Sequence, residues 1–139
     1  MTGYLLDTNV ISELTRDIPD PRVVDFLAER DDVWVSSILI HEVEYGVRLL
    51  PQGIRRNRLS AMQAAILSGY AHRVLPLDRA GAEWAAEFRA NARRSGHTVD
   101  MVDALIAGIA QANSLTVATR NVADFRRFNV EVFSPWTSP

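Results

Sequence analysis

Carboxylates stand at four places where the local pattern asks for something apolar or small. Asp7 ends the apolar run Tyr4-Leu5-Leu6 and is followed by Thr8 and Asn9. Glu42 falls on the apolar stripe Ile38, Leu39, Val43, Gly46, Val47 and Leu50, one turn after Ile38, whereas Glu44 is rotated off it. Asp100 and Asp103 open the segment "DMVDALIAGIA", and Asp103 adjoins the face of Ile106. Asp124 follows the run "LTVAT" inside "RNVADF", three residues after Asn121. A buried carboxylate must be protonated, paired or bound to metal. Four acids brought to one place repel, and a hard divalent cation with oxygen ligands, Mg²⁺ or Mn²⁺, makes such a cluster tolerable. An ion of that kind activates water and stabilises displacement at phosphorus. Thr8 and Asn9 would support the site or stitch the turn after the first strand.

Each acid also has a purely structural reading. Asp100 is placed as an N-cap, and Asp103 then lies in the first turn, where the helix dipole favours acids. An arginine such as Arg48 or Arg120 could pair with Glu42. Asn121 and Asp124 could be turn or cap residues.

What must position these acids is an alternation of strands and helices. Apolar, β-branched runs recur at Tyr4–Leu6, Val33–Val35, Val74–Leu77, Leu115–Ala118 and Val130–Phe133. Between them lie segments of helical period: "DPRVVDFLAER", "SSILIHEVEYGVRLL", "RLSAMQAAILSGYAHR", "RAGAEWAAEFRANARR" and "MVDALIAGIAQA". Strands too apolar to face water, alternating with helices, predict a mainly parallel sheet covered on both faces. Ligands of such sheets bind outside the carboxyl ends of the strands, and Asp7 sits at one.

The 139 residues suit one domain, 1–139, with its own core. There is no cysteine, so disulfides and thiolate metal sites are excluded. No apolar run approaches the length of a membrane span, and no signal-peptide pattern is present, so a soluble cytoplasmic protein is expected. Net charge is −2, which gives no global signal for nucleic acid. All 15 basic residues are arginine, several of them clustered, and arginine suits bidentate phosphate contact. Arg93, Arg94 and Arg120 are the expected guides of phosphate towards the acids. Helices around "VVDFL" and "VRLLPQGIRRNRL" combine apolar and basic residues, which suits docking of a partner segment.

In order and spacing, "LLDTNVISEL", "SSILIHEVEYGV", "DMVDALIAGIA", "LTVATRNVADF" and the ending "VEVFSPW" resemble the PIN-domain ribonucleases. The likeness is strongest to VapC-type toxins of VapBC toxin–antitoxin pairs, including the FitB-like branch, and covers nearly the whole chain. It implies a flavodoxin-like three-layer α/β/α sandwich. It also implies a metal-dependent endoribonuclease toxin that inhibits translation, usually dimeric, held by a VapB-type antitoxin that can also engage operator DNA. Asp7, Glu42 and Asp103 match the family's first three acids, with Thr8 and Asn9 beside the first. For the fourth, Asn121 stands where many members carry Asp; Asp124 is assigned the role, with Asn121 assisting. One tightly held metal, on Asp7 and Asp103, is expected.

Competing chemistries fit poorly. A receiver domain needs a lysine, and a HAD-type phosphatase wants Asp-x-Asp where Asn9 stands. A histidine-based ribonuclease needs paired histidines, whereas His41, His72 and His97 lie in separate segments. The remaining alternative is a non-catalytic PIN-like module that binds RNA or a protein.

Overall fold

The computed structural model describes residues 3–137. Five short strands form one sheet: β1 (Tyr4–Leu6), β2 (Val33–Ser36), β3 (Val74–Leu75), β4 (Thr116–Ala118) and β5 (Val132–Phe133). Every pairing is parallel, and the order is β3-β2-β1-β4-β5. The helices are α1 (Thr8–Leu14), α2 (Pro21–Ala28), α3 (Ser37–Arg48), α4 (Ile54–Ser68), α5 (Arg79–Arg94), α6 (Met101–Ala112) and α7 (Val122–Arg126).

All five expected strands are present, and β3 is shorter than the run Val74–Leu77 predicts. Pro76 is the reason, since it lacks the N–H that the ladder needs. The two-residue period of a strand sorts the core into two halves. Leu5 faces a cluster with Phe88, Ile106, Ile109, Val117 and Phe125, under α5, α6 and α7. Leu6 faces the other, with Val10, Ile11, Val23, Leu39 and Val43, under α1, α2 and α3. The result is the three-layer α/β/α sandwich that the alternation predicts.

Two helices are locked at unusually short range. A Cβ on Gly108 of α6 would meet the Gly81 carbonyl oxygen at 2.3 Å and the Ala85 nitrogen at 2.8 Å. Only glycine permits that approach, and it fixes the axis of α6 and therefore the direction of its N-terminal acids. From β1 the chain moves outward through β2 and β3, then returns to the other side of β1 as β4 and β5. The order thus reverses between β1 and β4, which opens a crevice at their carboxyl ends.

Candidate functional site at the carboxyl edge of the sheet

Asp7 leaves β1 at this crevice and caps α1. It is 4% exposed. Its Oδ1 accepts from the Thr8 N–H at 2.7 Å, and its Oδ2 accepts from the Thr119 hydroxyl at 2.7 Å. Burial pushes its pKa above the ordinary value, while the bonds from Thr119, Thr8 and Asn9 pull against that shift.

Thr119, wholly buried at the end of β4, is the organiser that the sequence analysis does not single out. Its hydroxyl donates to Asp7 and accepts from the Asn121 N–H at 2.9 Å and the Asn9 side-chain amide at 3.4 Å. The full capacity of a hydroxyl is used. Asn9 Oδ1 in turn accepts from the Arg120 N–H at 3.3 Å. Thr8 bonds Asp7 directly through its N–H, Asn9 and Asn121 join it through Thr119, and Asn121 starts α7 without a side-chain cap bond. The only sequence signal for Thr119 is that a small polar residue follows the apolar run of β4, much as Asp7 follows that of β1.

The N-terminus of α6 brings two further acids. Asp100 Oδ1 accepts from the Val102 and Asp103 N–H groups at 2.8 and 3.2 Å, the capping role read from the sequence. Asp103 is half-buried and has its pKa pushed up to about 7, first by burial and then by the charges of Asp7, Asp100 and Asp124. Asp100, Asp103 and Asp124 line a small cleft of about 210 Å³ with Thr98, Val99, Arg127 and Phe128. Asp7, Asp100, Asp103 and Asp124 thus come from three different segments into one electrostatic neighbourhood.

Glu42 lies on α3. Its side chain is 27% exposed, and it pairs with the neighbouring His41, Nδ1 to Oε2 at 2.8 Å. The stripe on which it was placed is narrower than the sequence suggests, because Gly46 is exposed. Arg48 pairs with Glu44 rather than with Glu42. Arg120 places its guanidinium 5.6 Å from the Trp136 ring centroid. Arg94 is hydrogen-bonded to Asn91, and Arg93 lines a trough beside the acid cleft.

A second buried acid, Glu13, carries no site. It accepts from the Asp20 N–H at 2.9 Å, Trp136 Nε1 at 3.1 Å and Arg16 at 3.2 Å. These donors hold its pKa below the ordinary value, the Asp20 N–H foremost. Glu13 fastens the "SPW" ending to α1.

The donor set suits a hard divalent cation: carboxylate oxygens, no thiolate and no paired imidazole. The Thr8 hydroxyl, buried beside Asp7, has no hydrogen-bond partner. Such an orphan is costly in a closed core and natural where a further polar ligand belongs. Among the described residues no three His, Asp or Glu side chains already stand as a closed ligand set.

The fold is that of the PIN domain, whose family model matches residues 4–131, and the chain belongs to that family. Within it the chain falls among the VapC-type toxins. It is 42% identical to toxin FitB of Neisseria gonorrhoeae, over 95% of this chain and 97% of that one. It is 33% identical to VapC ribonuclease Y4jK of Sinorhizobium fredii, over 95% and 96%. The structure of FitAB bound to an IR36 DNA fragment superposes with a TM-score of 0.87 at 40% identity, covering 98% of this chain and 97% of that chain. No helix is long and apolar enough to cross a membrane among the described residues.

Proposed function

We propose that this chain is a metal-dependent endoribonuclease acting as the toxin of a type II toxin–antitoxin pair. The observation that carries the reading is the electrostatic meeting of Asp103 with Asp7, Asp100 and Asp124 at the sheet's switch point, where the buried Thr8 hydroxyl has no hydrogen-bond partner. The ribonuclease name of the Sinorhizobium relative supports RNA as substrate. Inhibition of translation and growth would follow from cutting an RNA that translation needs.

Within that reading Asp7 and Asp103 would hold Mg²⁺ or Mn²⁺, with Asp124 and Glu42 available to complete or adjust the site. The bound ion would supply an activated water and neutralise charge developing at the phosphate. The chain itself supplies preorganisation. Thr119 and the Thr8 N–H fix both oxygens of Asp7, so its carboxylate need not reorient. Asp100 secures the first turn of α6 and so the position of Asp103. Arg127, at the cleft, offsets the repulsion between the acids and an incoming phosphate.

An antitoxin partner of VapB type is proposed from the FitAB complex. Ile18, Leu49 and Ile54 are 85%, 66% and 78% exposed. Ile18 and Ile54 line one hollow with Arg55 and Arg58, an apolar and basic surface suited to a partner segment. A homodimer is proposed with it.

The test is RNA cleavage by the purified chain, freed of any partner, with Mg²⁺ or Mn²⁺ and again in EDTA. Cutting that needs the metal supports the proposal. Cutting that persists in EDTA ends it, and RNA binding without cutting leaves the non-catalytic PIN-like module.

A further inference from the structure

The acid cleft does not end at Val99. Thr98 and Val99 line it on one side and, on the other, line a second, larger trough of about 640 Å³. One wall of this trough is the C-terminal half of α5, where Ala86, Arg89, Ala90 and Arg93 recur at helical spacing. The other wall is the turn Gly96–Val99, which includes His97. That turn is well defined. Gly96, at φ +79°, ends α5, and the His97 N–H bonds back to the Ala92 carbonyl at 2.8 Å.

Charge differs between the two hollows, with acids outnumbering the one arginine, Arg127, in the first. Asp100, Asp103 and Asp124 line the first. Arg89, Arg93 and His97 line the second, with no carboxylate in its wall. Neither Arg89 nor Arg93 joins an ion pair among the described residues, whereas Arg79 on the same helix faces Glu83. Two arginines with unspent charge beside an acid cleft complement a polyanion that passes from one hollow to the other. The wall holds no phenyl or indole ring and no side-chain amide to read a base edge, and its one aromatic ring is the His97 imidazole. Its donors are guanidinium and imidazole on a floor of alanine.

We infer that the trough between α5 and the Gly96–Val99 turn is a phosphate-binding subsite, which holds the sugar–phosphate backbone of single-stranded RNA next to the acid cleft through Arg89 and Arg93. The inference rests on the ribonuclease reading and adds to it where the strand lies beyond the scissile bond. Because the contacts are to phosphate, the subsite strengthens binding without choosing the sequence that is cut.

Arg89→Ala/Arg93→Ala tests it in the full-length chain, with a mixed-sequence single-stranded RNA as probe and EDTA present so that binding is read without cutting. Both positions are exposed, and unchanged melting curves confirm that the variant folds. For single strands each phosphate contact adds about 0.7 to the slope of log affinity against log salt, so losing two flattens it by about 1.4. Affinity at 0.1 M salt falls roughly 10- to 30-fold. Arg89→Lys/Arg93→Lys restores most of both, and the cleavage positions in Mg²⁺ stay those of the unmodified chain.

The control is Arg79→Ala. It lies about 21 Å from Arg93 along α5, beyond the Debye length of about 10 Å at 0.1 M salt, and leaves the slope unchanged. If the unmodified chain binds RNA and the double alanine variant binds with the same affinity and slope, the inference fails while the ribonuclease reading stands. If the double variant instead loses association with a copurifying antitoxin, the trough is a protein-docking surface and the inference also fails. RNA binding that depends on Arg89 and Arg93 in a chain that never cuts would keep the subsite and remove the enzyme.

Discussion

Thr119 Oγ1 stands 2.7 Å from Asp7 Oδ2, joining the ends of β4 and β1 across the point where the strand order reverses. The two residues are 112 positions apart in the chain. Both are buried, so this bond is a charge-assisted contact with little competition from water.

Thr119→Val keeps the shape and removes the donor. It leaves Asp7 Oδ2 and the Asn121 N–H short of a partner. At pH 7 the loss is expected at about 1.5–3 kcal/mol, the usual worth of a hydrogen bond to a charged group. With the bond gone, burial raises the Asp7 pKa further. Chemical denaturation at pH 7 and pH 4 checks this, and the deficit should shrink at the lower pH, where Asp7 approaches neutrality.

Asp103 makes stability fall as pH rises. Its pKa is raised to about 7 in the folded chain, against an ordinary value of 3.8. Between those values the folded state holds more protons than the unfolded one, so its advantage is complete at low pH and lost on the way to pH 7. Asp103→Asn removes that slope. It should melt higher than the unmodified chain at pH 7 in EDTA and equally at pH 4. Mg²⁺ should raise the melting temperature of the unmodified chain and not of the variant, which should not cleave RNA. A variant that cuts RNA normally would displace Asp103 from the site.

Asp100 separates capping from charge. Asp100→Ala opens two N–H groups of α6 and is expected to cost about 0.5–2 kcal/mol. Asp100→Asn retains the cap acceptor and removes the charge beside Asp103, so it should cost much less and lower the Asp103 pKa. Thermal melting, with carboxyl titration by NMR, distinguishes the two. Most cleavage activity should survive both.

Gly108→Ala tests whether the close crossing of α5 and α6 positions the acids. The added methyl has no room against the Gly81 carbonyl and Ala85, and overpacking of this kind costs about 1–3 kcal/mol. Because α6 must move to relieve it, cleavage should fall even under conditions where the variant is fully folded. Activity unchanged in a folded variant would show that α6 tolerates the shift.

Trp136→Phe removes the indole N–H from Glu13 while keeping most of the buried ring. The expected cost is about 1–3 kcal/mol, read by thermal melting. The Glu13 pKa is held below its ordinary value of 4.5, so the contribution of this carboxylate is present above that value and lost as pH falls through the folded pKa. The difference between variant and parent should therefore narrow on acidification.

Local pattern alone determined much of this protein. Alternating apolar runs and helical periods marked all five strands and placed α5 and α6 at their observed ends, because a parallel sheet buried on both faces leaves little freedom in residue type. The odd carboxylates Asp7 and Asp103 were legible for the same reason: a charge at the end of a core strand or beside a core helix face breaks the pattern. Tertiary structure decided what the pattern could not carry. Thr119 looks like any strand-terminal threonine until β4 pairs with β1 and turns its hydroxyl onto Asp7. Glu13 lies on a short polar-looking turn of α1, and only the return of the chain at Trp136 makes it buried and structural. Glu42 ran the other way: its helical register suggested the core, but α3 leaves that side open enough for it to pair with His41. Periodicity reports which face of an element is apolar, whereas hydrogen-bond partners and the depth of burial depend on which distant segment arrives opposite, and that is settled only when the layers close.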